Sequence, residues 1–340
     1  MKKLILTADD FGVVPSIDAG IMKGVIKGKI NSVAAFANYG ENGETSVSNV
    51  KELIEKSKEH GVSPQIGVHL TISSGNPILE RDAVPSLCKS DEDLDEAFNE
   101  NPDEANEFNA HTDLSRDAIV ESELRDELQA QIDVFKDNDI PIAHLSSHHN
   151  TLTFFEKFFK VFMDLAADNN IPIRSARTEP KLKNDLYLKL YMYLKLWDNI
   201  DLDEADELVT FMNRIQKIQR EYRRGEIRSP SFLETSHYGP LPFHKMKDKK
   251  MGKYLKKKKK AIKKMIERFV EGDDSVMEVV LHVRDNVITN HIVYEDEVKL
   301  ANYAGIDPRY FDSRVVELNS VLNTDWDQIF EENDMGWGSW

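Results

Sequence analysis

Leu4-Ile5-Leu6-Thr7-Ala8-Asp9-Asp10-Phe11-Gly12 begins as an apolar run and ends in two adjacent carboxylates. A short run like Leu4 to Thr7, apolar at successive positions, suits a strand covered on both faces, as in a parallel sheet. Downstream, Ser16 reads as the cap of a helix through about Lys27, with Ile17, Ile21 and Val25 on one face. Residues 32–37 read as a second strand. A helix over about 46–60 carries Val47, Val50, Leu53 and Ile54 on one side and stops at Gly61. Ile66-Gly67-Val68-His69-Leu70 follows as a third strand. The pattern is βαβαβ, and right-handed crossovers bring the C-terminal ends of such strands to one edge of the sheet.

The same alternation continues outward. Helices are expected over 117–136, 154–167 and 314–322, and strands over 140–147, 172–174, 231–236 and 276–282. About seven parallel strands with crossover helices predict an α/β fold, a distorted (β/α) barrel of the TIM-barrel type. Its active site would lie in the loops after the strands. A single domain over 1–340 is expected, with two interruptions. Residues 71–114, holding Gly75, Pro77, Pro85, Pro102 and an acidic tract, read as a loop or lid. Residues 181–224, rich in Leu and Tyr, read as a helical insertion, and 326–340 show no clear period.

Composition removes several classes of function. Forty-four basic against sixty acidic side chains leave a net charge of −16, which repels a phosphate backbone, so nucleic acid is not an expected partner. No apolar run approaches the ~18 residues of a membrane span, and no export signal is apparent after Lys2-Lys3, so a cytoplasmic protein is expected. Cys88 is the only cysteine, which rules out an intrachain disulfide or a Cys-based zinc site. The Lys-rich stretch 245–264, with its run Lys256 to Lys260, reads as a solvated amphipathic helix.

Three segments end expected strands with polar groups that are costly to bury unless used: Asp9-Asp10, His69, and His144-Leu145-Ser146-Ser147-His148-His149. Neighbouring positions send Asp9 and Asp10 in different directions within one small volume, and two like charges there call for a cation. Each group has an ordinary reading, Asp9 or Asp10 as a turn cap and His69 as a core histidine. Together, one carboxylate and two imidazoles delivered by three parallel strands match a divalent-metal site with positions left for water and substrate.

At these segments the chain resembles the YdjC-type carbohydrate deacetylases, whose familiar members remove acetyl groups from chito-oligosaccharides. Thr7-Ala8-Asp9-Asp10-Phe11-Gly12 matches the family's opening motif, and Gly67-Val68-His69-Leu70 followed by Gly75-Asn76-Pro77 matches its second. His144 to Leu152 resembles a third, usually H-x-D-S-H-H-H-x-H. Glu278-Val279-Val280-Leu281-His282 and Ser313-Arg314-Val315-Val316-Glu317-Leu318 resemble two later ones. The resemblance implies a divalent cation, Mg2+ or Zn2+, held by Asp10, His69 and His148. It further implies Asp9 as general base, His282 as general acid, an oligosaccharide substrate and a homodimer. Phe154, Tyr187, Tyr191, Tyr193 and Tyr238 are candidates for stacking on sugar rings.

The chain departs from the family at Ser146, Asn150 and Leu152, where Asp, His and His are usual, and at Val283-Arg284, where Pro-Gly is common. Ser146 is expected beside His148 or His149, as a weaker support than a carboxylate. These departures keep two other readings open: a metal- or sugar-binding protein of the same fold with impaired turnover, and a metal-dependent phosphoesterase.

Overall fold

The computed structural model describes residues 1–100, 107–108, 118–153, 156–174, 232–235, 251–285, 294–306 and 311–340. The 181–224 insertion and the five candidate stacking aromatics lie outside them. Seven strands form one sheet: β1 (Lys2–Phe11), β2 (Ser32–Ala35), β3 (Gln65–Leu70), β4 (His144–Ser147), β5 (Phe232–Thr235), β6 (Val276–Leu281) and β7 (Met335–Trp337). The order is β4-β3-β2-β1-β6-β5, every ladder is parallel, and β7 pairs with the start of β1. The expected strand at 172–174 is a single bridge from Ile173 to Leu145, on the outer edge of β4.

One interaction shows that this sheet is strongly curled. Arg174 stands on the β4 edge, four strand spacings from β1, which is roughly 19 Å along a flat sheet. Its guanidinium nonetheless reaches Asp9 at 2.7 Å and Glu278 of β6 at 3.0 Å. The strands therefore curl around a shared interior. Among the described residues no ladder joins the Ile173 edge to β5.

The helices are α1 (Pro15–Ile26), α2 (Glu44–Glu59), α3 (Asp91–Glu100), α4 (Glu121–Asp137), α5 (Glu156–Asn169), α6 (Met251–Glu271), α7 (Tyr294–Tyr303), α8 (Phe311–Leu322) and α9 (Trp326–Asn333). Their apolar stripes, such as Ile17, Ile21 and Val25 on α1 or Leu124, Leu128 and Ile132 on α4, are buried in the core. Three expectations are corrected. Ser16 does not cap α1: Val14 is the cap residue, Pro15 starts the helix, and the Ser16 hydroxyl is buried, accepting from Arg284 Nε. The stretch expected to be a loop contains α3, whose acidic residues favour a helix N-terminus. The tail without a clear period folds as α9 and β7, because Trp326 is buried and β7 finds a partner in β1. Helix α7 was not expected.

Part of the presumed lid is fastened down. Glu127, fully buried on α4, accepts from the backbone N–H groups of Ile78 and Leu79. One turn on, the Gln131 amide both accepts from and donates to the backbone of Thr71. These bonds satisfy buried main-chain groups that irregular structure leaves open.

Candidate metal centre

The site is built where β1, β3 and β4 end. Strand β1 does not stop before the aspartates. It continues through Phe11 with a bulge, so that Asp9 and Asp10 together oppose Ala34 of β2. Asp10 takes φ +71°, a left-handed conformation that is costly for a residue with a β-carbon and tends to persist where function requires it. The bulge suspends strand alternation, and the outcome corrects the expectation of divergent carboxylates: Asp10 Oδ1 lies 3.5 Å and Asp9 Oδ2 4.0 Å from the same atom, His69 Nε2.

The structure brings Asp10, His69 and His148 together, the one such cluster among the described residues. Asp10 Oδ1, His69 Nε2 and His148 Nδ1 form a triangle with sides of 3.5, 3.3 and 3.3 Å. Three ligands at ~2.0–2.2 Å from a tetrahedral cation would be separated by about 3.3–3.6 Å. Hydrogen bonding points the same way. His148 Nε2 faces the Ala304 carbonyl at 3.0 Å; a carbonyl only accepts, so Nε2 carries the proton and the Nδ1 lone pair faces the triangle. Burial pushes the His148 pKa down, favouring the neutral ring. An imidazole lone pair directed at a carboxylate oxygen is repulsive without a positive charge between them, and the donor set fits a divalent cation.

Neighbouring side chains fix these three groups. Ser146, the register partner of His69, has its Oγ 2.8 Å from His69 Nδ1, so it supports His69 rather than His148 or His149 as expected. Phe36 packs against both imidazole rings of the triangle, with centroids 5.3 Å from His69 and 4.9 Å from His148. After β4, His149 and Asn150 adopt φ +53° and +57°. This turn carries His149 to the Gly305 carbonyl at 2.9 Å, so the C-terminal end of α7 anchors both histidines. Asn150 is exposed and Leu152 is buried in the core.

Both aspartates are neutralised by buried arginines. Burial alone would raise the Asp10 pKa, but the Arg314 guanidinium, 2.8 Å from Oδ2, holds it well below the usual carboxylate range. Arg174 grips both oxygens of Asp9 and, against burial, holds its pKa at about 2. Arg174 Nε also donates to Glu278, whose carboxyl burial pushes up. His282 directly follows Leu281, the register partner of Ala8 at the end of β6, and when protonated it lowers the pKa of both Asp9 and Asp10. Arg284, in the place of the usual glycine, is buried and bonded to Ser16 and Glu297.

His144, the first residue of that third segment, lies apart from the triangle. Its ring stacks on Trp340 at 4.1 Å and fills the space where Gly67 lacks a side chain; a β-carbon at Gly67 would come within 2.2 Å of it. The glycine of the second motif is thus a packing requirement. Sequence reasoning missed Arg174 and gave Arg314 no role. A charged residue directly after an apolar run, the signal that marked Asp9, was also present at Pro172-Ile173-Arg174.

The fold is thus a parallel α/β sheet with an Asp-His-His triangle at its C-terminal edge. Residues 3–332 match the family model described as YdjC-like protein, and the chain belongs to that family. A carbohydrate deacetylase of Enterococcus faecalis V583 is 28% identical over 241 residues, covering 69% of this chain and 82% of that one. One from Clostridium beijerinckii is 26% identical over 211 residues, 62% and 75% of the respective chains. A solved structure described as a cellobiose-phosphate cleavage protein of Enterococcus faecalis V583 superposes with a TM-score of 0.63 over 99% of this chain and 97% of that one, at 21% identity, a likeness of fold. No helix among the described residues is long and apolar enough to cross a membrane.

Proposed function

We propose that this chain is a metal-dependent carbohydrate deacetylase, hydrolysing the C–N bond of N-acetyl groups on oligosaccharides. The observation that carries the reading is the triangle of Asp10 Oδ1, His69 Nε2 and His148 Nδ1, in which His148 presents a lone pair. The names of the relatives supply the substrate class. Asp10, His69 and His148 would hold the cation, and two imidazoles favour zinc over magnesium. When bound, a divalent cation supplies Lewis acidity, lowering the pKa of water and polarising an acyl oxygen.

The remaining roles fall to the chain's own groups. Arg174 keeps Asp9 ionised, and each carboxylate oxygen retains a second lone pair after accepting from the guanidinium. Asp9 therefore takes the proton of the attacking water. His282 holds a proton for the departing amine from the adjacent strand end. Replacement of the usual aspartate by Ser146 leaves His69 oriented, which supports an active enzyme over an impaired one.

The test is incubation of zinc- or magnesium-loaded protein with N-acetylated chito-oligosaccharides, measuring free acetate, beside a generic phosphoester. Metal-dependent acetate release is the expected result. Phosphate release without acetate would replace the proposal, and neither product despite bound metal would favour a binding protein.

A further inference from the structure

Arg314 is a buried guanidinium with donors to spare. Its Nη2 donates to Asp10 Oδ2, whereas its Nε and Nη1, although buried, meet no hydrogen-bond acceptor among the described residues. The nearby buried arginines differ: Arg174 uses Nε, Nη1 and Nη2 on Asp9 and Glu278, and Arg284 uses Nε and Nη2 on Ser16 and Glu297. With the Arg314 side chain only 9% exposed, solvent offers its spare donors little compensation. Buried charged donors without acceptors are costly, and they persist where a ligand supplies the acceptor. The location narrows the choice of ligand. Arg314 holds one oxygen of Asp10 while the other oxygen is a corner of the triangle, so the guanidinium is one carboxylate away from the triangle.

We propose that Arg314 is a catalytic residue whose Nε and Nη1 donate to the substrate's acyl oxygen as it becomes negative, and afterwards to the carboxylate product. This rests on the deacetylase reading above. The water oxygen bonds to the acyl carbon, its proton passes to Asp9, and the C=O π pair moves onto the oxygen facing Arg314. When that pair returns, the C–N bond breaks and the amine leaves with the proton from His282. The carboxylic acid loses its remaining proton to solvent. Donors placed for the oxyanion act mainly in the transition state, so their removal lowers kcat more than it raises KM.

Arg314→Lys keeps a positive charge within reach of Asp10 but removes Nε and Nη1 and the fixed fork in which they are held. With metal saturating, the expected result on N-acetylated chito-oligosaccharides is a fall in kcat of about 10²-fold or more with KM changed little. Calorimetric titration should show acetate binding at least about tenfold weaker while zinc affinity stays within a few-fold of wild type. If extra zinc restores kcat and acetate binds as in wild type, Arg314 merely positions Asp10 and the inference is overturned. Should the variant not fold, a crystal structure of the wild-type protein with acetate decides: an acetate oxygen on Nε or Nη1 supports the inference, and acetate elsewhere overturns it. Acetate binding does not require turnover. Wild-type protein that binds acetate at Arg314 yet releases none from the oligosaccharides would sink the deacetylase reading and leave the anion contact standing.

Discussion

Ser146 Oγ lies 2.8 Å from His69 Nδ1, across the ladder in which the two residues are register partners. The hydroxyl occupies the place of a carboxylate usual in the family, and it gives the imidazole a neutral hydrogen bond instead of a charge-assisted one. Ser146→Ala should therefore weaken zinc binding by roughly tenfold, and Ser146→Asp should strengthen it by a similar factor. Zinc titration of both variants, with thermal unfolding of each, checks this. Equal affinities in all three proteins would show that Ser146 does not orient the ligand.

Asp9→Asn is expected to retain metal, because Asp9 is not a corner of the triangle, and to lose about 10²–10⁴-fold in turnover with the proton acceptor gone. Metal content measured beside acetate release separates the two. A variant purified without metal would mean that the roles of Asp9 and Asp10 are exchanged.

The same carboxylate governs acid stability. The pKa of Asp9 is lowered from 3.8 to about 2 in the folded chain, as Arg174 outweighs burial, so its ionisation stabilises the fold above pH ~4. That contribution, roughly 2 kcal/mol, is lost as pH falls from ~4 towards 2. In Arg174→Met the acid unfolding transition should move to higher pH, and the protein should lose about 3–5 kcal/mol at pH 7 from buried charge left unpaired. An unchanged acid midpoint, read by circular dichroism, would contradict the ion pair.

Glu127 acts with the opposite sign. Burial raises its pKa from 4.5 to about 7 in the folded state, so the folded chain binds the proton more tightly than the unfolded chain. The resulting stabilisation is complete below pH ~4.5 and is lost as pH rises through about 7, at most roughly 3 kcal/mol. Urea midpoints at pH 5 and pH 8 should differ less in Glu127→Gln than in wild type. An equal difference in both proteins would assign the effect to another group, such as Asp18, which burial also raises to about 7.

Zinc that binds only the folded chain should raise its melting temperature, and chelator should reverse the rise. His148→Ala should abolish that dependence and leave the chelator without effect. A zinc-dependent melting temperature that survives in His148→Ala would place the ion elsewhere.

The amino-acid sequence by itself determined the central strands, though neither the extension of β1 through Phe11 nor the existence of β7. Apolar runs at Leu4, Ile66 and Val276 leave few alternatives to buried parallel strands, and the handedness of the crossovers then puts Asp10, His69 and His148 on one edge. Those three positions were legible because a charged or polar group after a buried strand is costly unless used. What only the tertiary structure decided depends on contacts between segments far apart in the chain. The φ of +71° at Asp10 turns both carboxylates inward, although nothing in the local pattern marks a bulge. Arg174 meets Asp9 165 positions away, and Arg314 meets Asp10 across 304. Ser146 serves His69 because of strand register, and the proton on His148 is assigned by a carbonyl at the end of a helix 156 residues on. Periodicity reports how one element faces the core; it carries no information about which distant charge will neutralise a buried one, and the curl of the sheet supplies that.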